Sequence, residues 1–308
     1  MNKCLFTYNE TLEENYSKEG LKLLNKKLNT LNLFPYSREE QENEVLKYSG
    51  KISIQGVQPK LSGNLSLKKE VFEIVESRAQ YILKPQTRDY KELPQNEDLT
   101  MKLALMCGIE TPWHGLIRAS DNSLIYVVKR FDRFGKNSKR HQEDFAQLMG
   151  ASRVTKYQAD MEKVAETIEK FCTFPTLQWR ELFKRIIFSF LIGNEDMHLK
   201  NFSLIKNKNN IIQLSPAYDL VNTTIAMVDP IEEMALSLGG KKHGFLKIDF
   251  MDYANEYLFI NEKQSEILMS DIKKRVPDLK KLVMSSFLSD DMKKSYIDLM
   301  NERLRRLA

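Results

Sequence analysis

The spacing of apolar and polar positions changes along the chain and divides it in two. Leu21, Leu24, Leu28 and Leu31 recur at helical intervals in a highly charged stretch, so residues 1–48 read as helical, broken at Pro35. Ser37 with Glu40 makes a capping box for a second short helix through about Leu46. Three glycines and alternating apolar residues in 49–63 predict strand, turn and strand. Residues 71–75 and 81–84 read as strands, and 86–94 as a polar loop. Residues 96–107 read as a helix with Leu99, Leu103 and Met106 on one face, Glu97 in its first turn and Gly108 at its end. Residues 115–117 and 123–128 then predict a hairpin across 120–122.

Past residue 132 the period-2 signal fades and helical spacing takes over at 142–171, 177–192 and 263–308. Trp179, Phe183, Ile186, Ile187 and Phe190 place apolar groups on more than one face, which marks 177–192 as a buried central helix. Two short strands, 202–205 and 211–214, flank the polar turn 206–210 and return Asp219 to the neighbourhood of Asp196 and Asn201. Ser289 is placed to cap the last helix, and Arg303, Arg305 and Arg306 suit its C-terminal dipole. The expectation is an α+β, two-lobed protein: a β-rich N-lobe over 1–131 with a helical N-terminal extension, and a mostly helical C-lobe over 132–308.

Composition removes several classes. In 308 residues, no apolar run reaches the roughly eighteen that a membrane helix needs, and the N-terminus lacks a signal-peptide core. Three scattered cysteines show neither metal spacing nor a disulfide framework, which fits a cytoplasmic chain. A net charge of +5, without a dense basic block, does not argue for direct nucleic-acid binding.

The candidate chemistry lies between Gly193 and Asp219, where an apolar helix runs into a polar loop. Asp196, Asn201 and the later Asp219 are the acid, amide and acid that Mg²⁺-dependent phosphoryl transfer requires. Asp196 would orient or accept the proton of a substrate hydroxyl, while Asn201 and Asp219 offer a hard cation the oxygens it prefers. His198 and Lys200 are further donors to phosphate, although His198 reads equally as a buried structural histidine. Asp196, His198 and Asp219 would otherwise suit a transition metal, but no second histidine lies nearby. Gly56 would let the backbone approach phosphate, or simply turn a hairpin. Lys84, closing a strand, would contact phosphates and pair with Glu97, or remain a solvated edge lysine. The strand running to Phe131 could offer backbone groups to an adenine edge.

Taken together, residues 52–60, 81–84, Asn96-Glu97, 128–133, 196–202 and 214–219 resemble the HipA family of bacterial toxin serine/threonine kinases over roughly 37–300. The resemblance implies a kinase-like two-lobed fold, ATP and Mg²⁺. It also implies protein substrates, notably aminoacyl-tRNA synthetases, and a DNA-binding HipB-like antitoxin. Carried over by position, Asp196 is the catalytic aspartate, and Asn201 and Asp219 are the metal ligands. The nucleotide set is Ser53, Gln55, Gly56, Val57, Lys60, Lys84, Val128, Lys129, Phe131, His198, Asn201 and Asp219. Ser53 matches the serine autophosphorylated in the family's Gly-rich loop, where added phosphate would lower activity. Lys129 stands where the best-known members carry glutamate. Only about 48 residues precede the Gly-rich loop, which resembles the short form called HipT and implies a separate HipS-like partner. Two other readings remain beside the toxin kinase: a kinase for a small molecule, and a catalytically silent module that binds an antitoxin.

Overall fold

A computed structural model describes residues 2–49, 58–135, 138–151, 156–227 and 232–308. The chain divides into two compact units. The first comprises Met1–Leu99, Pro112–Ser138 and Ser285–Leu288. It opens with a small antiparallel pair, β1 (Asn2–Lys3) and β2 (Glu10–Thr11), followed by the helices α1 (Lys18–Leu24) and α2 (Arg38–Ser49). Its centre is an antiparallel sheet of β3 (Leu61–Ser66), β4 (Val71–Ile74), β5 (Tyr81–Pro85), β6 (His114–Arg118) and β7 (Leu124–Lys129), in the order β4-β3-β5-β7-β6. Leu83 of β5 pairs with Leu61 on one side and Val127 on the other, and all three are buried. The helix α3 (Leu93–Met106) joins β5 to β6, and its last residues belong to the second unit. A two-stranded ladder of β8 (Arg133–Phe134) and β9 (Ser138–Lys139) follows β7.

Three expectations change here. Residues 1–17 are not helical: Tyr8 adopts φ 64° in the turn between β1 and β2. The leucine spacing does not build one helix either. α1 stops at Leu24, where Asn25 turns to extended backbone and its N–H bonds back to the Leu21 carbonyl. Leu28 and Leu31 are buried from irregular chain beyond it, so tertiary burial imitated a helical period. Finally, α3 begins at Leu93, which moves Glu97 out of the first turn and into the second. The capping box is present, with Ser37 N–H donating to Glu40 at 2.7 Å and Glu40 N–H to Ser37 Oγ at 3.4 Å.

The second unit comprises Thr100–Thr111, Lys139–Met284 and Ser289–Ala308. It contains β10 (Gln142–Asp144), α4 (Phe145–Leu148), α5 (Met161–Phe171), α6 (Pro175–Ile192), β11 (Ser203–Lys206), β12 (Ile212–Leu214), α7 (Lys247–Tyr257), α8 (Glu262–Lys273), α9 (Val276–Ser285) and α10 (Asp290–Arg306). α6 is the centre. Pro175 opens it, where a missing N–H costs nothing, and Trp179, Leu182, Phe183 and Arg185 through Ile192 are buried. The 203–214 hairpin forms as expected, but residues 142–144 are a strand rather than helix. β10 pairs with β11, making a three-stranded sheet, and helix begins only after Asp144 caps α4 through a box with Gln147. Ser289 stands at the N-cap position of α10 in extended backbone, and the terminal arginines of that helix do more than meet a dipole. Arg303 and Arg306 reach Glu233 at 2.8 and 2.6 Å and lie against the Phe190 ring. Among the described residues no helix is long and apolar enough to cross a membrane.

Candidate active site

In the first unit the chemistry gathers on β5 and α3. Lys84 is buried, and its ammonium pairs with Glu97 Oε1 at 2.5 Å and lies 5.6 Å from the ring centre of Tyr126, its cross-strand neighbour. The solvated-edge alternative for Lys84 is therefore excluded. The next residue on α3, Asp98, is also buried. It accepts from the Tyr8 hydroxyl at 2.7 Å and lies 2.8 Å from His114 Nδ1. Two adjacent acids thus tie α3 to the sheet and to the N-terminal turn. At the end of β7, Val128 is buried and Lys129 exposed; the Lys129 N–H donates to the Trp113 carbonyl and the Arg130 N–H to Gln80, both at 2.8 Å. An adenine edge would be met by backbone groups other than these two amides. Phe131 is half-buried, and Asp132 is clamped by the Arg130 guanidinium at 2.9 and 3.0 Å. Lys60 is exposed ahead of β3. Ser53, Gln55, Gly56 and Val57 lie outside the described residues.

In the second unit α6 ends at Gly193, whose φ of 70° favours glycine. A Cβ there would strike Leu299 and sit 2.6 Å from Thr224 Oγ1. The Gly193 carbonyl accepts the N–H groups of Thr223 and Thr224 at 2.9 and 3.1 Å, and Glu195 N–H donates to Thr223 Oγ1 at 2.7 Å. The loop is thereby pinned to the segment just after Asp219. The Glu195 carboxyl is pushed above its ordinary range by burial, against a hydrogen bond from Thr224.

Asp196 keeps 47% of its side chain exposed, with Tyr157 donating to its Oδ1 at 2.9 Å. Its backbone carbonyl accepts from His198 N–H at 2.8 Å and from Asn201 Nδ2 at 2.6 Å. The second bond fixes the Asn201 amide by its nitrogen, so that its oxygen is the atom turned to other partners. A single 3₁₀ turn, Leu199–Asn201, sets this register. Tyr218 continues the anchoring: its hydroxyl donates to the Lys200 carbonyl at 2.8 Å and meets Ser203 Oγ. Asp219 follows at φ 58°, an uncommon conformation for a residue with a side chain, of the kind stored at functional sites.

His198 is buried. Its Nδ1 accepts from Lys200 N–H at 3.2 Å, its Nε2 lies 2.6 Å from Lys156 Nζ, and Asp196 Oδ1 is 3.8 Å away. Burial lowers its pKa and the Lys156 charge adds to this, while Asp196 and, more weakly, Asp219 oppose it. Both acids therefore bear on one imidazole. Lys200 instead extends to Asp144, at 3.5 Å. Two residues here had no sequence signal: Lys156 and Tyr157 lie some forty positions ahead of the loop they touch, inside the 142–171 stretch read as helical, where the structure has a turn ahead of α5.

Residues 52–279 match the family model described as HipA-like C-terminal domain. The chain belongs to this family. A Haemophilus influenzae protein named as a kinase is 37% identical over 230 residues, 70% of this chain and 65% of that protein. The serine/threonine-protein kinase toxin HipA of Shewanella oneidensis is 27% identical over 191 residues, 56% of this chain and 43% of that toxin. The chain thus spans less than two thirds of these relatives' length. Among solved structures, HipA in the Shewanella oneidensis complex of HipA, HipB and operator DNA aligns with a TM-score of 0.70 at 21% identity, over 91% of this chain and 72% of that one. The Helicobacter pylori proinflammatory kinase CtkA gives 0.57 at 14%, over 83% and 90%. The fold is that of the HipA-like kinases, with a β-sheet lobe and a helical lobe, as the sequence implied.

Proposed function

We propose that this HipA-like protein is a toxin kinase that transfers the γ-phosphoryl group of ATP to serine or threonine of a host protein. The observation that carries the reading is the 196–201 loop. An acid is half-exposed beside an amide whose nitrogen is bound by the acid's own carbonyl, so the amide oxygen is left to a ligand. Asn201 and Asp219 offer the oxygen donors that Mg²⁺ takes alongside nucleotide phosphates. Among the described residues no group of three or more His, Cys, Asp or Glu is arranged for a metal. An amide, an acid and phosphate oxygens are a donor set that fits Mg²⁺. When bound, the metal neutralises charge on the phosphates. Lys84, held by Glu97, takes the nucleotide phosphates. Asp196 accepts the proton of the substrate hydroxyl as its oxygen attacks the γ-phosphorus and ADP departs.

The finer features follow the family resemblance. The substrate class is an aminoacyl-tRNA synthetase, and Ser53 is the autophosphorylation site. A HipB-like antitoxin is the partner, by analogy with the HipA, HipB and DNA complex of the Shewanella oneidensis protein. A HipS-like companion is the further partner of the short form. Incubation with γ-labelled ATP and a host lysate tests the reading. A labelled protein band is expected, absent with Asp196→Asn. Label confined to small molecules would make this a metabolite kinase, and no label with either chain would leave a binding module. Mass spectrometry of the labelled band then names the substrate.

A further inference from the structure

Transfer of a phosphoryl group needs more than an acid and metal ligands. It needs the acid held in one orientation and positive charge at the transferred group. The 196–201 loop supplies neither from its own side chains: Lys200 extends to Asp144, and His198 is buried with its pKa lowered. Both needs are met by the dipeptide ahead of α5.

The Tyr157 hydroxyl donates to Asp196 Oδ1 at 2.9 Å, which commits one carboxylate oxygen to the phenol and leaves the other to the substrate proton. Burial and the Asp196 charge raise the phenol's pKa, so it stays a donor. Its ring meets His198 edge-on, with centroids 5.0 Å apart at 79°. Lys156 Nζ lies 2.6 Å from His198 Nε2 and 4.6 Å from the Tyr157 ring centre. Since His198 Nε2 is itself 3.8 Å from Asp196 Oδ1, the imidazole holds an ammonium one ring-edge away from the acid. An ammonium beside a carboxylate that receives the substrate hydroxyl is placed for the phosphoryl group that hydroxyl attacks.

Resting on the phosphoryl-transfer reading, we propose that Lys156 and Tyr157 complete the centre. Tyr157 is a positioning residue that orients Asp196, and Lys156 is a phosphate-binding residue whose ammonium meets the transferred γ-phosphoryl group. The bland alternative is a structural pin that merely holds the segment ahead of α5 against the loop. The two differ in what they do to nucleotide selectivity, because only a γ-phosphate contact distinguishes ATP from ADP.

The test uses the full chain and the variants Lys156→Met, Lys156→Arg, Tyr157→Phe and Asp196→Asn. Calorimetry with Mg²⁺ measures affinity for ADP and for a non-hydrolysable ATP analogue, and labelled transfer to lysate proteins gives the rate. Lys156→Met is expected to weaken the analogue about tenfold while leaving ADP within about twofold, the size of one charged phosphate contact. Lys156→Arg restores most of the preference. Tyr157→Phe lowers the rate at saturating ATP about tenfold with both affinities unchanged. Equal weakening of both nucleotides by Lys156→Met, or no weakening of either, overturns the phosphate role; an unchanged rate in Tyr157→Phe overturns the positioning role. Intact ADP binding shows that a variant is folded. A parent chain that binds neither nucleotide, or transfer that survives Asp196→Asn, overturns the phosphoryl-transfer reading itself.

Discussion

The two units hold their charged groups on opposite terms. In the first, Lys84 and Glu97 meet with side chains only 4% and 2% exposed. In the second, Asp196 leaves about half its carboxylate side chain to solvent while a phenol, an imidazole and an ammonium gather around it. Two charges removed from water depend on each other, because losing one leaves the other uncompensated. A half-exposed acid depends on its neighbours for orientation rather than for solvation, and water or a substrate can replace them. Lys84 and Glu97 therefore hold each other in place, whereas the partners of Asp196 can be exchanged at little cost to the fold.

The sharpest way to break this comparison is to neutralise one acid from each unit. Glu97→Gln should destabilise the fold by about 3 kcal/mol, because Lys84 stays buried and loses the Glu97 charge. Removing both charges, as in Lys84→Met with Glu97→Leu, should recover much of that loss. Asp196→Asn should change stability by less than about 1 kcal/mol while abolishing transfer. Urea unfolding of the purified variants measures all three. Equal losses for Glu97→Gln and Asp196→Asn would show that the two clusters are not different in kind.

Gly193 tests the framework of the second unit in the same assay. Its positive φ and the closeness of Leu299 and Thr224 leave no place for a methyl group. Gly193→Ala should cost about 2 kcal/mol from backbone strain and collision. It should also lower transfer, since the loop begins there and its carbonyl anchors Thr223 and Thr224.

How much of this was legible in the sequence depends on the range of the forces involved. Four sheet strands, β4 to β7, and the central helix are local patterns of period 2 and 3.6, and they stand where the spacing put them, while β3 runs past the 49–63 stretch to Ser66. The 203–214 hairpin was legible for the same reason, and the Tyr218 bonds to Lys200 and Ser203 then fix the segment it returns. The Lys84–Glu97 pair was legible as one of two options, because sequence separation of thirteen residues across a strand and a helix does not state which acid faces the lysine. The helix expected to run on past Leu24 was misread because Leu28 and Leu31, buried from irregular chain, continue a helical interval by coincidence. β10 was misread because its three half-buried residues owe their strand to pairing with β11, sixty residues later. Lys156 and Tyr157 were invisible altogether. Their role comes from contacts across about forty residues of chain, and nothing in Lys-Tyr as a dipeptide announces such contacts.

The smallest expected effect concerns acid, and it asks whether the second unit also has a framework pair of its own. Glu233 receives two guanidinium groups, Arg306 at 2.6 and 2.8 Å and Arg303 at 2.8 Å, together with the Phe245 N–H at 3.2 Å. Burial alone would raise the Glu233 pKa, but the Arg306 hydrogen bonds and the Arg303 charge outweigh it and hold the carboxyl below its ordinary value of 4.5. A carboxylate with a depressed folded-state pKa contributes stability that is fully present above 4.5 and is lost as pH falls through the folded value. Glu233→Gln removes that proton linkage. The variant should be less stable than the parent by about 1 kcal/mol at pH 7, the net size of one hydrogen bond, and the gap should narrow as pH drops below 4.5. Thermal unfolding of both chains between pH 7 and pH 3 (values chosen to bracket the ordinary carboxylate range of about 4) measures the gap. A gap that widens with acid would mean that Glu233 is held protonated, and that the arginines of α10 are balanced by other groups.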